Sequence, residues 1–233
     1  MTLKLPRTTI KELEDLVDQL TKDDPRKRDK AMIRLTDFER SGKIPLEVLI
    51  EMSQNDHPPL SMYAISALGR NGQTEAVDLL IKLFGKHRQS HVLFLETIID
   101  ALGETKSPKA SAPLLELLGI KTGLVKRLLG RRSKKGDEEG SQAKQAKEHF
   151  ALPVLRALEK IQDPKAAEKL GEFLDHPDYL VRCHAIQNMQ NCRLTGFAAK
   201  LKEMSEKDQH ELVRESADIA HGYLQPLPPE LNN

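Results

Sequence analysis

The stretch Ala157–Pro177, ALEKIQDPKAAEKLGEFLDHP, decides how this chain folds, because the chain writes it more than once. Ala101–Gly119 reads ALGETKSPKASAPLLELLG, and Ala67–Gly85 reads ALGRNGQTEAVDLLIKLFG. Following the position of Leu68 gives Leu35, Leu68, Leu102, Leu158, Met189 and His221, at steps of 33, 34, 56, 31 and 32 residues. All but one of these steps lie near a single period, and the exception is longer by the size of one insertion. A fixed period in this range marks a stack of similar supersecondary units. A second marker keeps the register: Arg28, Arg182 and Arg214 stand three residues before an alanine in RDKA, RCHA and RESA, with Ser61 in that place in SMYA.

Each unit divides into two helices. In SMYAISALG, Met62, Ile65 and Leu68 fall three apart and Ala64 widens the stripe. After a short polar turn, TEAVDLLIKLF carries Ala76, Leu79, Leu80, Leu83 and Phe84 at helical spacing. Asp-containing turns precede several helices: DDP at 23–25, DHP at 56–58 and at 175–177, with SPKA at 107–110 and DPKA at 163–166 inside the units. Asp caps an orphan N–H at a helix start, and Pro is tolerated in the first turn because its missing N–H has no partner there anyway. No stretch alternates long enough to require a strand. The expected fold is therefore all-α: an α-solenoid of stacked antiparallel helix pairs, about six units, with one basic loop insertion. A pair of this length cannot bury its apolar stripe alone, so each copy supplies what its neighbour's core lacks.

The motifs DHP, RxxA, ALG and DPKAAEKLGEFL resemble the HEAT family, and within it the short phycobilisome-lyase-type HEAT repeats. The resemblance covers roughly residues 23–224 outside the insertion and implies a solenoid scaffold. The last unit departs from it, with His221 in place of the leucine and no second helix expected after it. The expected division is a capping helix over 1–22, a solenoid over 23–224 interrupted at 119–148, and a tail over 225–233. Thr9 and Glu12 have the spacing of a capping box for the first helix.

Composition excludes several classes. The 233 residues are 39% hydrophobic, enough for a real core. No run of about eighteen apolar residues exists to span a membrane. The start, MTLKLPRTTIKELEDL, lacks the apolar stretch of a secretory signal. Cys183 and Cys192 fit no metal or redox spacing and read as ordinary thiols, so a cytoplasmic location is expected. Aromatic residues make up 4% of the chain and Trp is absent, which argues against stacking on nucleic-acid bases or sugars.

Charge is unevenly spread. Lys121, Lys126, Arg127, Arg131, Arg132, Lys134 and Lys135 fall in one acid-free stretch of the insertion. Without these seven, the chain carries 29 bases against 35 acids, a formal charge of −6. Gly130, Gly136, Gly140, Ser133 and Ser141 suggest a mobile connection. It reads either as a solvated loop or as a site for an anionic partner such as a protein, nucleic acid or lipid headgroup.

Catalytic signatures are missing. A helical-repeat di-iron hydroxylase needs several His-Glu pairs, and His210–Glu211 is the one present; Glu148–His149 is reversed. His87 and His91 lie four apart, so a shared helix face is open to them, but no Glu stands between them as in a zinc-protease motif. His184 follows the first-helix register and reads as packing or facing a neighbouring helix. No catalytic residue, cofactor or metal is expected. One polar column recurs on the second helices, Lys82, Glu116, Glu172 and Glu203, and reads either as an ordinary exposed face or as a ladder for an extended partner. The expected function is a non-enzymatic scaffold for a protein partner; a bilin-lyase-type enzyme and an adaptor tethered through 121–135 are the alternatives. If the register is right, Leu68→Asp costs several kcal/mol, because it buries an unpaired charge, whereas Glu172→Ala shifts stability by no more than about 0.5 kcal/mol. Denaturant melts of the two variants compare them, and equal losses would refute the assigned helix faces.

Overall fold

A computed structural model describes residues 7–20, 22, 24–41, 44–87, 91–120 and 138–225. Among them there is no strand. The chain forms two compact units, residues 1–105 and 106–233. The first holds α1 (Arg7–Leu20), α2 (Pro25–Arg40), α3 (Leu46–Ser53), α4 (Pro58–Asn71), α5 (Thr74–Lys86) and α6 (Val92–Glu104). The second holds α7 (Ser111–Leu117), α8 (Glu138–Ile161), α9 (Pro164–Glu168), α10 (Tyr179–Asn191), α11 (Ala198–Lys207) and α12 (Glu211–Leu224). Helix α9 continues as a 3-10 segment, Lys169–Asp175, so this second helix tightens after its first turns.

The periodic leucines close the core. Leu35, Leu68, Leu102, Leu158 and Met189 are at most 1% exposed. His221, the sixth member, is half-buried, and its Nδ1 donates to the Ala198 carbonyl at 3.0 Å. In the first unit α4 packs on α3 and α6; in the second, α10 packs on α8 and α12, and α12 on α11. Burial refines the stripes read from sequence. Val77, not Leu79, completes the buried face of α5, and Tyr63 is buried on α4 while Met62 is half-buried. With Leu80 pointing inward, Leu79 lies about 100° round the helix and meets the surface.

Two features explain why the ALG tripeptide recurs. A methyl group built on Gly69 would stand 2.6 Å from the Ala101 carbonyl oxygen and 2.7 Å from its Cα, so α4 and α6 approach backbone to backbone at this point. In four of the six units the residue four after the periodic leucine position is left-handed: Gly72 (φ 64°), Lys106 (52°), Gln162 (55°) and Arg193 (53°). This conformation turns the chain sharply between the two helices of a unit, and after Gly72 it lets α5 pack on α4. Only one of the four is the glycine such a site favours.

The helix starts depart from expectation. Asp24 caps α2, accepting from the N–H groups of Arg26 and Lys27, and Asp163 caps α9 through Lys165 N–H. The DHP aspartates do not cap. Helix α4 has His57 at its N-cap with no side-chain bond, and α10 starts later, with Asp178 accepting from Leu180 N–H. Helix α1 begins at Arg7, so Thr9 is inside it, and Glu12 instead accepts two hydrogen bonds from Arg34 of α2, at 3.1 and 3.3 Å. A charged partner on the neighbouring helix wins over a backbone N–H. Helix α8 starts at Glu138, so residues 138–148, read from composition as part of a loop, are helical.

The close approach gives a direct test. Gly69→Ala should cost about 2 kcal/mol, since the methyl meets backbone that cannot move aside. Gly222→Ala, where nothing lies within 4 Å, should gain about 0.5 to 1 kcal/mol from helix propensity alone. Thermal melts compare them, and a neutral Gly69→Ala would contradict the packing.

Candidate interaction surface

The second helices each leave one face to solvent. In the first unit, α3 and α5 leave an open groove lined by Ile50 on one side and by Thr74, Glu75, Asp78, Leu79 and Lys82 on the other. On α5 these residues form two neighbouring rows at four-residue spacing, 74/78/82 and 75/79. Ile50 and Leu79 are half-buried and form the apolar part, while Glu75, Asp78 and Lys82 are exposed. Of the polar column, Lys82 therefore lines this groove. The sequence pattern missed Ile50 and Leu79, because the first requires knowing that α3 lies beside α5 and the second was assigned to the core.

The other members of the column lie in the second unit. Glu116 is half-buried in the last turn of α7, Glu172 is exposed on the 3-10 segment, and Glu203 is exposed on α11. Glu203 is flanked by Lys200 Nζ at 3.9 Å and Lys207 Nζ at 3.7 Å, and Lys200 also reaches Asp175 at 2.9 Å. The Asp175 hydrogen bond outweighs burial in raising the Lys200 ammonium above its ordinary value. Basic side chains thus stand beside this part of the column. Lys121, Lys126, Arg127, Arg131, Arg132, Lys134 and Lys135 all lie outside the described residues.

The recurring arginines serve the loops. Arg182 Nη1 donates to the carbonyls of His176 and Pro177 at 2.7 and 3.1 Å, and Arg214 Nη1 to those of Asp208 and Gln209 at 2.9 and 3.2 Å. In both cases these are the carbonyls six and five residues earlier, so Arg182 and Arg214 tie down the turns that precede their own helices. Arg182 also grips Asp208 with two bonds, Nη2 to Oδ1 at 2.8 Å and Nε to Oδ2 at 3.0 Å, joining consecutive inter-repeat turns. Burial is the largest influence on the Asp208 carboxyl and would raise it. Arg182's hydrogen bonds, the His210 N–H and the guanidinium charge together outweigh that and hold it below its ordinary value. In the first unit Arg70 makes the equivalent two-pronged pair with Glu39, at 2.6 and 2.9 Å. Burial, reinforced by the Glu39 charge, pushes the Tyr63 hydroxyl beside them upward.

The histidines are equally structural. His184 Nδ1 meets Glu159 of α8 at 2.5 Å, facing the neighbouring helix as expected. His210 stands at the N-cap position of α12 without a side-chain capping bond and stacks flat on Tyr179, ring centres 3.7 Å apart. His87 and His91 share no helix face, because α5 ends before the first and α6 begins after the second. Asn188 takes the place where other repeats have alanine, and from its buried position donates to Leu155 O at 3.1 Å and His184 O at 2.8 Å. Burial raises both thiols, Cys183 and Cys192, which makes them poor nucleophiles. Among the described residues no group of three His, Cys, Asp or Glu side chains is placed to hold a metal ion. Among them, too, no helix is long and apolar enough to cross a membrane.

Comparison with known proteins agrees with this architecture. The family model for HEAT repeats matches residues 46–129 and 144–220, more than half of the chain. The chain belongs to the HEAT-repeat family. No curated protein matches it by sequence. Among solved structures it is similar to the complex of CpcE and CpcF of phycocyanin lyase from Nostoc sp. PCC7120, with a TM-score of 0.52 and 21% identity, covering 88% of this chain and 74% of that one. It is also similar to a designed armadillo repeat protein, with a TM-score of 0.46 and 15% identity, covering 91% of this chain and 100% of that one. At these identities the likeness is one of fold.

The Arg182–Asp208 pair gives a pH-dependent prediction. Both side chains are nearly buried, so Asp208→Asn should cost about 2 kcal/mol at neutral pH by leaving the guanidinium without its counter-charge. A depressed carboxyl contributes its stability in full above its unfolded value, 3.8, and loses it as pH falls through the lower folded value. The gap in melting temperature between wild type and Asp208→Asn should therefore be constant from pH 7 to about 5 and narrow below about pH 4. A gap that is unchanged at acid pH would contradict the pairing.

Proposed function

We propose that this protein is a non-enzymatic scaffold that binds a protein partner along the solvent faces of its second helices. The observation that carries this is the α3–α5 groove. It is open, it lies between second helices of adjacent repeats, and it mixes apolar side chains with both signs of charge, as the surface for an extended partner does. The strongest polar groups elsewhere, Arg182 with Asp208 and Arg70 with Glu39, are engaged in holding turns and helices to one another. A repeat stack of this kind gains affinity from many weak contacts along one face.

A second reading is a subunit of a bilin-lyase-type enzyme, favoured by the fold likeness to a phycocyanin lyase complex. The two readings separate by experiment. Affinity capture from native lysate, followed by reconstitution from purified components, should give a stoichiometric complex that Ile50→Asp plus Leu79→Asp weakens by about tenfold or more, with the melting temperature little changed. Bilin titration should leave the bilin absorbance band unmoved. Bilin binding together with transfer to an acceptor protein, in the absence of a stable binary complex, would replace the scaffold reading with the lyase one.

A further inference from the structure

We propose a second docking surface, on α12, that takes an amphipathic helix of another protein whose apolar row is flanked by lysine or arginine. Helix α12 buries Val213, Ala217, Ala220 and Leu224 against its own unit. The rest of its surface sorts into two rows. Leu212, Ile219 and Tyr223 are 50%, 64% and 53% exposed and lie at i, i+7 and i+11, with the half-buried Ser216 between them. That is the spacing of a helix-packing seam. Leu180, in the equivalent place on the adjacent α10, is 39% exposed and extends the patch. The exposed apolar area is on the order of a few hundred Å², the size at which a surface patch is often functional.

The second row is acidic. Glu211, Glu215 and Asp218 lie at i, i+4 and i+7, all exposed, none in a salt bridge among the described residues. Glu211 in the first turn is partly offset by the helix dipole, but Glu215 and Asp218 are not. Charge is what commits the surface to one occupant. A partner helix seated on the apolar row places one flank over the acids, where basic side chains are favoured and acidic ones repelled. A second α12 laid antiparallel on the first would set acid against acid, which argues against self-pairing. At the far end the Arg193 guanidinium lies 5.7 Å over the Tyr223 ring and donates to its hydroxyl at 3.3 Å, which favours one orientation of that ring.

This surface is separate from the α3–α5 groove, so either can fail alone. The test uses the full chain and two fluorescein-labelled peptides of about three heptads, with leucine at the a and d positions and either lysine or glutamate at e and g. The lysine peptide should bind at least about tenfold tighter than its glutamate twin at low salt, and the difference should shrink as salt rises. Ile219→Asp should abolish lysine-peptide binding, and Glu215→Gln with Asp218→Asn should remove most of the discrimination. Because these side chains are exposed, melting temperatures should stay near wild type; if Ile219→Asp lowers them, Ile219→Ser serves instead. Equal binding of the two peptides, binding indifferent to Ile219, or sedimentation showing a dimer that Ile219→Asp dissociates would each overturn the proposal.

Discussion

At Gly69 the backbone of α4 comes so close to Ala101 of α6 that no side chain fits between them. Such an approach is available only where one helix offers glycine and the next a small residue, as Gly69 and Ala101 do here. It sets how near consecutive first helices stand, and therefore how completely Leu68 and Leu102 are enclosed. Since no helix pair here could exclude water from its own stripe, the spacing between repeats underlies the rest of the packing. In the second unit the corresponding place is taken by Asn188, which replaces bare contact with hydrogen bonds to backbone carbonyls of α8 and α10.

Around this apolar spacing the polar groups act mainly as ties. Arg182 and Arg214 pull back the turns that introduce their helices, and Arg182 adds a charge pair to the following turn. Groups held in this way are spent on geometry. What remains for a partner is the surface they do not use: the second-helix groove of the first unit, and the two exposed rows of α12 in the second. These surfaces differ in chemistry, one mixed and concave, the other a flat apolar seam beside acids.

Much of the fold was legible because burial follows the helical period. The positions from Leu35 to Met189 can be read as one periodic set, and each of them is buried. The turns were less legible. A left-handed residue recurs in the same place in four repeats, but as Gly, Lys, Gln and Arg, so its conformation comes from the geometry of the returning helix and leaves little trace in residue type. The caps were misread where two acids compete: DHPD contains Asp175 and Asp178, and only the latter meets the helix start. Lys82 was legible as a surface residue, but its groove was not, since that depends on α3 lying alongside. The apolar row of α12 was visible in principle as Leu212, Ile219 and Tyr223 beside Glu211, Glu215 and Asp218. The sequence reading of the last unit attends to His221 and to the missing second helix, not to this face.

A protein that binds along helix faces left open by its repeat stack carries the footprint of its partner on those faces. Amide hydrogen exchange, measured on the full chain with and without a partner obtained by capture, addresses it most directly. Exchange should slow in peptides covering α3 and α5, residues 46–53 and 74–86, or over α12, residues 211–224, with the buried first helices unchanged. Protection confined to the turns between repeats, with those helices unaffected, would contradict it.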